Sequence, residues 1–220
     1  FISKVNANFD FDFNLSGKGF ANDDFNLIGD IEMNSTSLGN VYTEIWTGEE
    51  RVVLDEGYWK VNSTNINFSG QLDLNKRVVD LDMDGTSLPT TDLREKIELI
   101  TENKLPDIKG KMSFEGALKG KLSSPEFKAD VNLKAGEYED FKLDKLTADL
   151  SYMNKKVILN DFHFKDGESS IEGNLRVELS KTSPYIDGEL FAEKLSYDYI
   201  KNRASYFTEV EVDNYQLPLN

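Results

Sequence analysis

Carboxylates are the residues of this chain best placed for chemistry. Asp80-Leu81-Asp82-Met83-Asp84-Gly85 spells the opening of a calcium loop, with oxygen ligands at alternate positions and glycine where the loop must turn. The position that needs a bidentate glutamate falls on Thr91, and no helix precedes the run. Alternation in a β-strand would place three aspartates on one wet face without any metal, and that is the reading the pattern favours. His163 is the only histidine, which removes Ser-His-Asp triads and multi-histidine metal sites. Flanked by Phe162 and Phe164, it should point to a polar side. No Asp/Glu pair stands in a setting distinctive for glycoside hydrolysis. The expectation is a protein that is not an enzyme, with no catalytic residue, no metal and no cofactor.

Composition narrows the partners. A formal net charge of -15, with 25 Lys and Arg against 40 Asp and Glu, argues against nucleic acid, whose phosphates need a basic stripe. Anionic membrane surfaces are disfavoured for the same reason. No apolar run is long enough to span a bilayer as a helix. Without cysteine there are neither disulfides nor thiolate metal sites, which fits a cytosolic or a periplasmic protein. Phe1 and the absence of a signal-peptide pattern point to a segment of something longer. Asn14-Leu15-Ser16, Asn34-Ser35-Thr36, Asn62-Ser63-Thr64 and Asn67-Phe68-Ser69 match glycosylation sequons, as chance supplies in an Asn- and Ser-rich chain. Trp46, Trp59 and the tyrosines are too irregularly spaced for the aromatic belts of a membrane barrel.

The elements that would position these residues are strands. Phe9, Phe11, Phe13 and Leu15 alternate with Asp10, Asp12, Asn14 and Ser16, and the period of two recurs to about Leu190. Phe25, Leu27, Ile31 and Met33 form a second run, Val41, Thr43 and Ile45 a third, and Gly57 leads into Trp59 and Val61. Ile66, Phe68, Leu72 and Leu74 break at Asn75-Lys76-Arg77, after which Val79, Leu81 and Met83 resume on the opposite parity, as a hairpin reversal requires. Leu93, Ile97 and Ile100 change the period to that of a helix near 91–103, with Asp92 as N-cap, Glu95 in the capping-box position and Pro106 forbidding continuation. This helix should lie on the apolar face or at the end of the sheet. The expected division is strands over 1–90, helix over 91–105, a second similar set of strands over 106–195, and an irregular or truncated unit over 196–220.

In the second set, Met112, Phe114, Leu118 and Leu122 alternate around Gly116 and Gly120. Phe127, Ala129, Val131 and Leu133 follow Pro125, then Leu146, Ala148, Leu150 and Tyr152, a turn at Asn154-Lys155-Lys156, Val157 and Leu159, and a parity slip at Asn160-Asp161 that predicts a bulge. Asp166-Gly167 turns into Ile171, Gly173, Leu175, Val177 and Leu179, and Ile186 and Leu190 begin a last strand.

The stretch from Leu105 to Leu179 resembles the repeating segment of the AsmA-like superfamily, and within it the TamB family. The resemblance is carried by Gly116-Ala117-Leu118-Lys119-Gly120-Lys121-Leu122 with Pro125-Glu126-Phe127, by a turn read at Gly136-Glu137-Tyr138, and by Leu150-Ser151-Tyr152 with Val157-Ile158-Leu159. It implies a mainly β fold: an elongated, strongly curved antiparallel sheet, the U-shaped "β-taco", with a hydrophobic interior. It also implies an envelope protein of a double-membraned bacterium, anchored in the inner membrane and crossing the periplasm. Such proteins shield phospholipid acyl chains moving between inner and outer membranes during outer-membrane biogenesis. A TamA/BamA-type barrel-assembly partner would act through regions outside this segment.

Periodicity alone requires only that the apolar face be covered. Each buried side chain is worth roughly 1.5 to 3 kcal/mol, too much to leave in water along so many strands. A second sheet, closure into a barrel, or a ligand would serve, and a palmitoyl-length chain offers on the order of 12 kcal/mol before ordering costs. On the groove reading, acyl chains (or detergent in vitro) would contact Phe9, Phe11, Phe13, Phe25, Leu27, Ile31, Ile66, Phe68, Leu72, Leu74, Leu81, Met112, Phe114, Leu118, Leu122, Phe127, Val131, Leu133, Leu146, Leu150, Tyr152, Leu159, Ile171, Leu175 and Val177. The alternative is a closed β-sandwich or barrel module of a surface or adhesin protein that acts through its exterior.

Overall fold

A computed structural model of the chain describes residues 7–17, 25–48, 50–101, 107–138, 141–178 and 185–195. Alternation folds as one sheet of twelve strands in sequence order. The strands are β1 (Ala7–Gly17), β2 (Phe25–Ser35), β3 (Gly39–Gly48), β4 (Arg51–Val61), β5 (Thr64–Asp73), β6 (Val78–Pro89), β7 (Ile108–Lys121), β8 (Glu126–Tyr138), β9 (Phe141–Met153), β10 (Lys156–Asp166), β11 (Ser169–Glu178) and β12 (Tyr185–Lys194). Every adjacent pair is antiparallel, and among the described residues β1 and β12 end the row without meeting, so the sheet is not closed. Among the described residues no second sheet faces it, which leaves the sandwich and barrel expectation without its second layer or its joined edge.

Reversals are local. Between β9 and β10 the chain turns at Asn154 and Lys155, both at positive φ (51° and 63°), the backbone that a two-residue hairpin needs to match strand twist. The reversal expected at Asn75-Lys76-Arg77 joins β5 to β6, where the Asp73 carboxylate accepts from the Lys76 backbone N–H at 2.8 Å.

Bulges keep the apolar side apolar. Register shifts between Leu54 and Gly57, between Gly85 and Leu88, and between Leu159 and Phe162 each contain a residue in the left-handed region: Glu56 (46°), Ser87 (54°) and Asp161 (46°). The extra residue flips parity once, so Leu54 and Trp59, Met83 and Leu88, and Leu159 and Phe162 stay on one side. The third bulge is the one expected at Asn160-Asp161. The first corrects the expectation of a strand starting at Gly57, since β4 already begins at Arg51.

The helix, α1 (Thr90–Thr101), follows β6 without a break. It spans the connection between β6 and β7, which pair directly from Val78↔Lys121 to Pro89↔Lys111, so the sheet runs on beneath it. Two details differ from expectation. Asp92 lies inside the first turn rather than at the N-cap, and its carboxylate accepts from Thr64 Oγ1 (3.4 Å) and Ser63 Oγ (3.5 Å), tying the helix to the β4–β5 turn. The helix also begins at Thr90, one residue before the expected start; beyond Thr101, the expected residues 102–105 and Pro106 lie outside the described set, as does the tail from 196.

Two clusters form the core. Leu93 of α1 packs with Ile66 and Leu88, and Trp59, Met83, Met112 and Phe114 lean on them. Ala148, Phe162 and Phe164 form the second, with Val131, Leu146, Leu159, Ile171 and Leu175 around them.

Candidate functional site

The register assembles an uncharged face. One row crosses the whole sheet without interruption: Phe13, Gly29, Ile45, Leu54, Gly70, Leu81, Leu118, Phe127, Tyr152, Val157, Val177, Ile186. Its neighbour runs from Gly57 through Phe68, Met83, Gly116, Ala129, Leu150, Leu159 and Leu175 to Gly188. On the same face, one row further along the strands, Phe9, Met33, Val41, Trp59, Ile66, Gly85, Phe114, Val131 and Ala148 line up. Leu88, Met112, Leu133, Leu146, Phe164 and Ile171 form a further row. None of these positions carries a charge.

Glycines make room in the rows. A Cβ on Gly116 would collide with the Lys128 carbonyl oxygen and with Ala129, and one on Gly57 would enter the Phe68 ring. The rows are therefore closely fitted at these glycines; Ile66 is covered by Leu93 of α1, and Ile45 and Val79 are buried with no second sheet above them among the described residues.

Most residues expected on this face fall in these rows. Leu72 stands opposite Val79, Leu27 is half-buried with its N–H donating to Thr47 Oγ1 at 3.0 Å, and Ile31 stands opposite Thr43. The backbones of Phe9, Phe11, Phe13 and Phe25 pair with Met33, Ile31, Gly29 and Gly17, and their side chains lie outside the described set. Three expectations are corrected. Leu74 and Leu122 lie past the ends of β5 and β7, in turns, and are exposed (56% and 50%). Tyr152 keeps its row but is also exposed. Gly136-Glu137-Tyr138, read as a turn, is the paired end of β8, opposite Leu143, Lys142 and Phe141.

Sequence reasoning left several of the most buried members out of the predicted contact set: Ile45, Val79, Leu88, Phe162 and Phe164. The signal for Val79 and Ile45 was their parity; Leu88 is hidden by the bulge at Ser87. Trp59 and Trp46 lie on opposite faces. Trp59 Nε1 donates to the Leu38 carbonyl oxygen at 2.7 Å, whereas Trp46 stands exposed on the polar side.

The polar side holds the chemistry-bearing residues considered first. Asp80, Asp82 and Asp84 alternate along β6, an extended strand rather than a calcium loop. Lys119 Nζ reaches Asp80 (2.9 Å) and Asp82 (3.7 Å), and Asn67 Nδ2 donates to Asp84 at 3.0 Å. Those carboxylates hold the Lys119 ammonium above its ordinary range, the Asp80 hydrogen bond most of all. His163 is exposed, with Nδ1 3.5 Å from Glu172. An open depression of about 1330 Å³ spans β4 to β8 and is lined by residues of both faces, Asp82, Asp84, Glu115, Lys128 and Asp130 of the polar side with Phe68 and Phe114 of the apolar rows. Among the described residues no His, Asp and Glu group is arranged to hold a metal, and no helix is long and apolar enough to cross a membrane.

Chemically, the face offers apolar surface, with the Tyr152 phenol the one polar group in the row from Phe13 to Ile186. Comparison with protein-family models, curated proteins and solved structures finds no match, so the likeness to the AsmA-like superfamily rests on the sequence pattern alone.

Proposed function

We propose that this chain is a TamB-like envelope segment whose uncharged face shields phospholipid acyl chains on their way between the inner and outer membranes. The observation that carries the reading is the row from Phe13 to Ile186, which crosses every strand of a single-layer sheet without one charged residue. In water such a face costs free energy in proportion to its area, and α1 covers only the part near Ile66 and Leu88. On this reading the sheet curls into a trough along the glycine-bearing rows, and acyl chains supply the missing layer. Movement along it is passive on this reading, because a face without charged side chains gives a lipid no fixed ionic anchor.

Purified segment, extracted and weighed by native mass spectrometry, should carry phospholipid or detergent. A photo-crosslinking residue at Phe127, opposite Leu118, should capture phospholipid in cells, and adding Leu118→Asp should abolish capture while the circular dichroism of the sheet persists. Protein free of any lipid or detergent, with the face dry, would overturn the reading.

A further inference from the structure

The polar side is not uniform. Across β2, β3 and β4, Ile28, Trp46 and Val53 stand in one register line on the otherwise wet face, with Ile28 53% and Trp46 48% exposed. The next line holds Asp30, Glu44 and Asp55 side by side, and Glu56 sits in the adjoining bulge. Beyond it Glu32, Tyr42 and Tyr58 line up, the two rings stacked at 5.3 Å.

Among the described residues, none of these five carboxylates has a basic partner. Their hydrogen bonds are local and neutral: Asn34 Nδ2 to Glu32 at 3.1 Å, Tyr42 Oη to Glu44 at 3.5 Å, and the Glu56 N–H to Asp55 at 3.1 Å. Like charges directly opposite across strands repel, so the fold holds an electrostatic cost here that a cation would relieve. The Tyr42 hydroxyl is held above the ordinary phenol range, by desolvation first and then by Glu44 and Asp30, as expected beside unneutralised charge.

We propose that the polar side of β2–β4 docks a cationic protein segment, one that presents Lys or Arg beside aliphatic side chains. Guanidinium and ammonium groups pair with the carboxylate line and lie over the Tyr42, Tyr58 and Trp46 rings, while aliphatic side chains cover Ile28 and Val53. Exposed Trp and Tyr framed by charge is the composition of an interface centre. The other occupants are disfavoured by sign: a second copy brings the same acidic surface and a net charge of -15, and an anionic membrane repels it. This surface is on the opposite side from the proposed lipid face and does not depend on it.

The test uses a labelled peptide alternating Arg and Leu, with a Glu-Leu peptide as control, titrated into the whole chain by fluorescence anisotropy. The Arg-Leu peptide should bind, more weakly as salt rises, and Trp46→Ala should weaken it about tenfold. A paired Glu44→Lys, Asp55→Lys variant should abolish binding with Trp46 intact. The altered positions are at the surface, and circular dichroism checks the fold. If reversing those charges disturbs the fold, Glu44→Gln supplies the charge test. Equal binding of both peptides, or of the Arg-Leu peptide to the Trp46→Ala variant, would overturn the proposal. So would a dimer in sedimentation that Trp46→Ala dissolves, or a preference for phosphatidylglycerol vesicles over the peptide.

Discussion

The polar sides of β2–β4 and of β6–β11 are built on the same alternation and use it differently. From β6 onward the wet face is laced across strands, Lys119 with Asp80 and Asp82, Lys156 with Glu178 and His163 with Glu172, and Arg176 pairs with Glu178 along β11 at 2.7 Å. A line of carboxylates persists there too, Asp84, Glu115, Asp130 and Asp149, but Lys119 and Lys128 stand on lines close by. On β2–β4 the acidic line is bordered by Trp46, Ile28 and stacked tyrosines, with Arg51 and Lys60 one line further out and in no ion pair with it among the described residues. The dry side must exclude charge everywhere, so it is nearly the same in both regions. Charge can vary only on the wet side, and there the regions diverge.

The comparison presumes a common dry side, and breaking that presumption gives the largest effects. Leu88→Ala, beneath α1, should cost about 2–5 kcal/mol and Phe162→Ala, in the second cluster, about 3–5 kcal/mol, read from urea unfolding. A near-silent Phe162→Ala would mean that only the helix-covered region is packed. Gly116→Ala should cost about 1–3 kcal/mol, because its new methyl meets backbone at Lys128. Gly57→Ala should cost less, since the Phe68 ring it meets can rotate away.

Electrostatic changes should be smaller and opposite in sign between the regions. In dilute salt, Lys119→Gln should lower the unfolding midpoint and Glu44→Gln should raise it, and both shifts should fade in concentrated salt. Opposite results would erase the contrast. The smallest effect concerns pH. A hydrogen bond from Lys156, then the charges of Lys156 and Arg176, hold the Glu178 carboxyl below its ordinary range. A folded-state value below the unfolded one contributes stability above the ordinary glutamate range, lost as pH falls through the depressed value. Carboxyl carbon NMR should show Glu178 titrating late on acidification, and Lys156→Gln should move it back up.

Much of the fold was readable because alternation needs no distant information. The parity of Val79, Leu81 and Met83 after Asn75-Lys76-Arg77 fixes a hairpin, and the slip at Asn160-Asp161 announces its bulge. The bulge at Thr86-Ser87 passed unseen because small polar residues there look like a strand ending. Asp92 resembled a cap because its spacing to Glu95 is right. The structure uses its carboxylate on Ser63 and Thr64, a contact across 28 residues that no local pattern displays. On the candidate faces, the apolar rows were legible, whereas Leu74 and Leu122 keep the alternation after their strands have ended. Paired and unpaired carboxylates look alike in sequence, since cross-strand register alone decides which meets a lysine.

Because each strand bonds only to its neighbours in sequence, the molecule is close to one-dimensional in its energetics. No long loop must close before most contacts form, so folding can start at any hairpin and spread both ways. For this chain, amide exchange should slow from β1 and β12, the outermost strands among the described residues, towards the middle of the sheet.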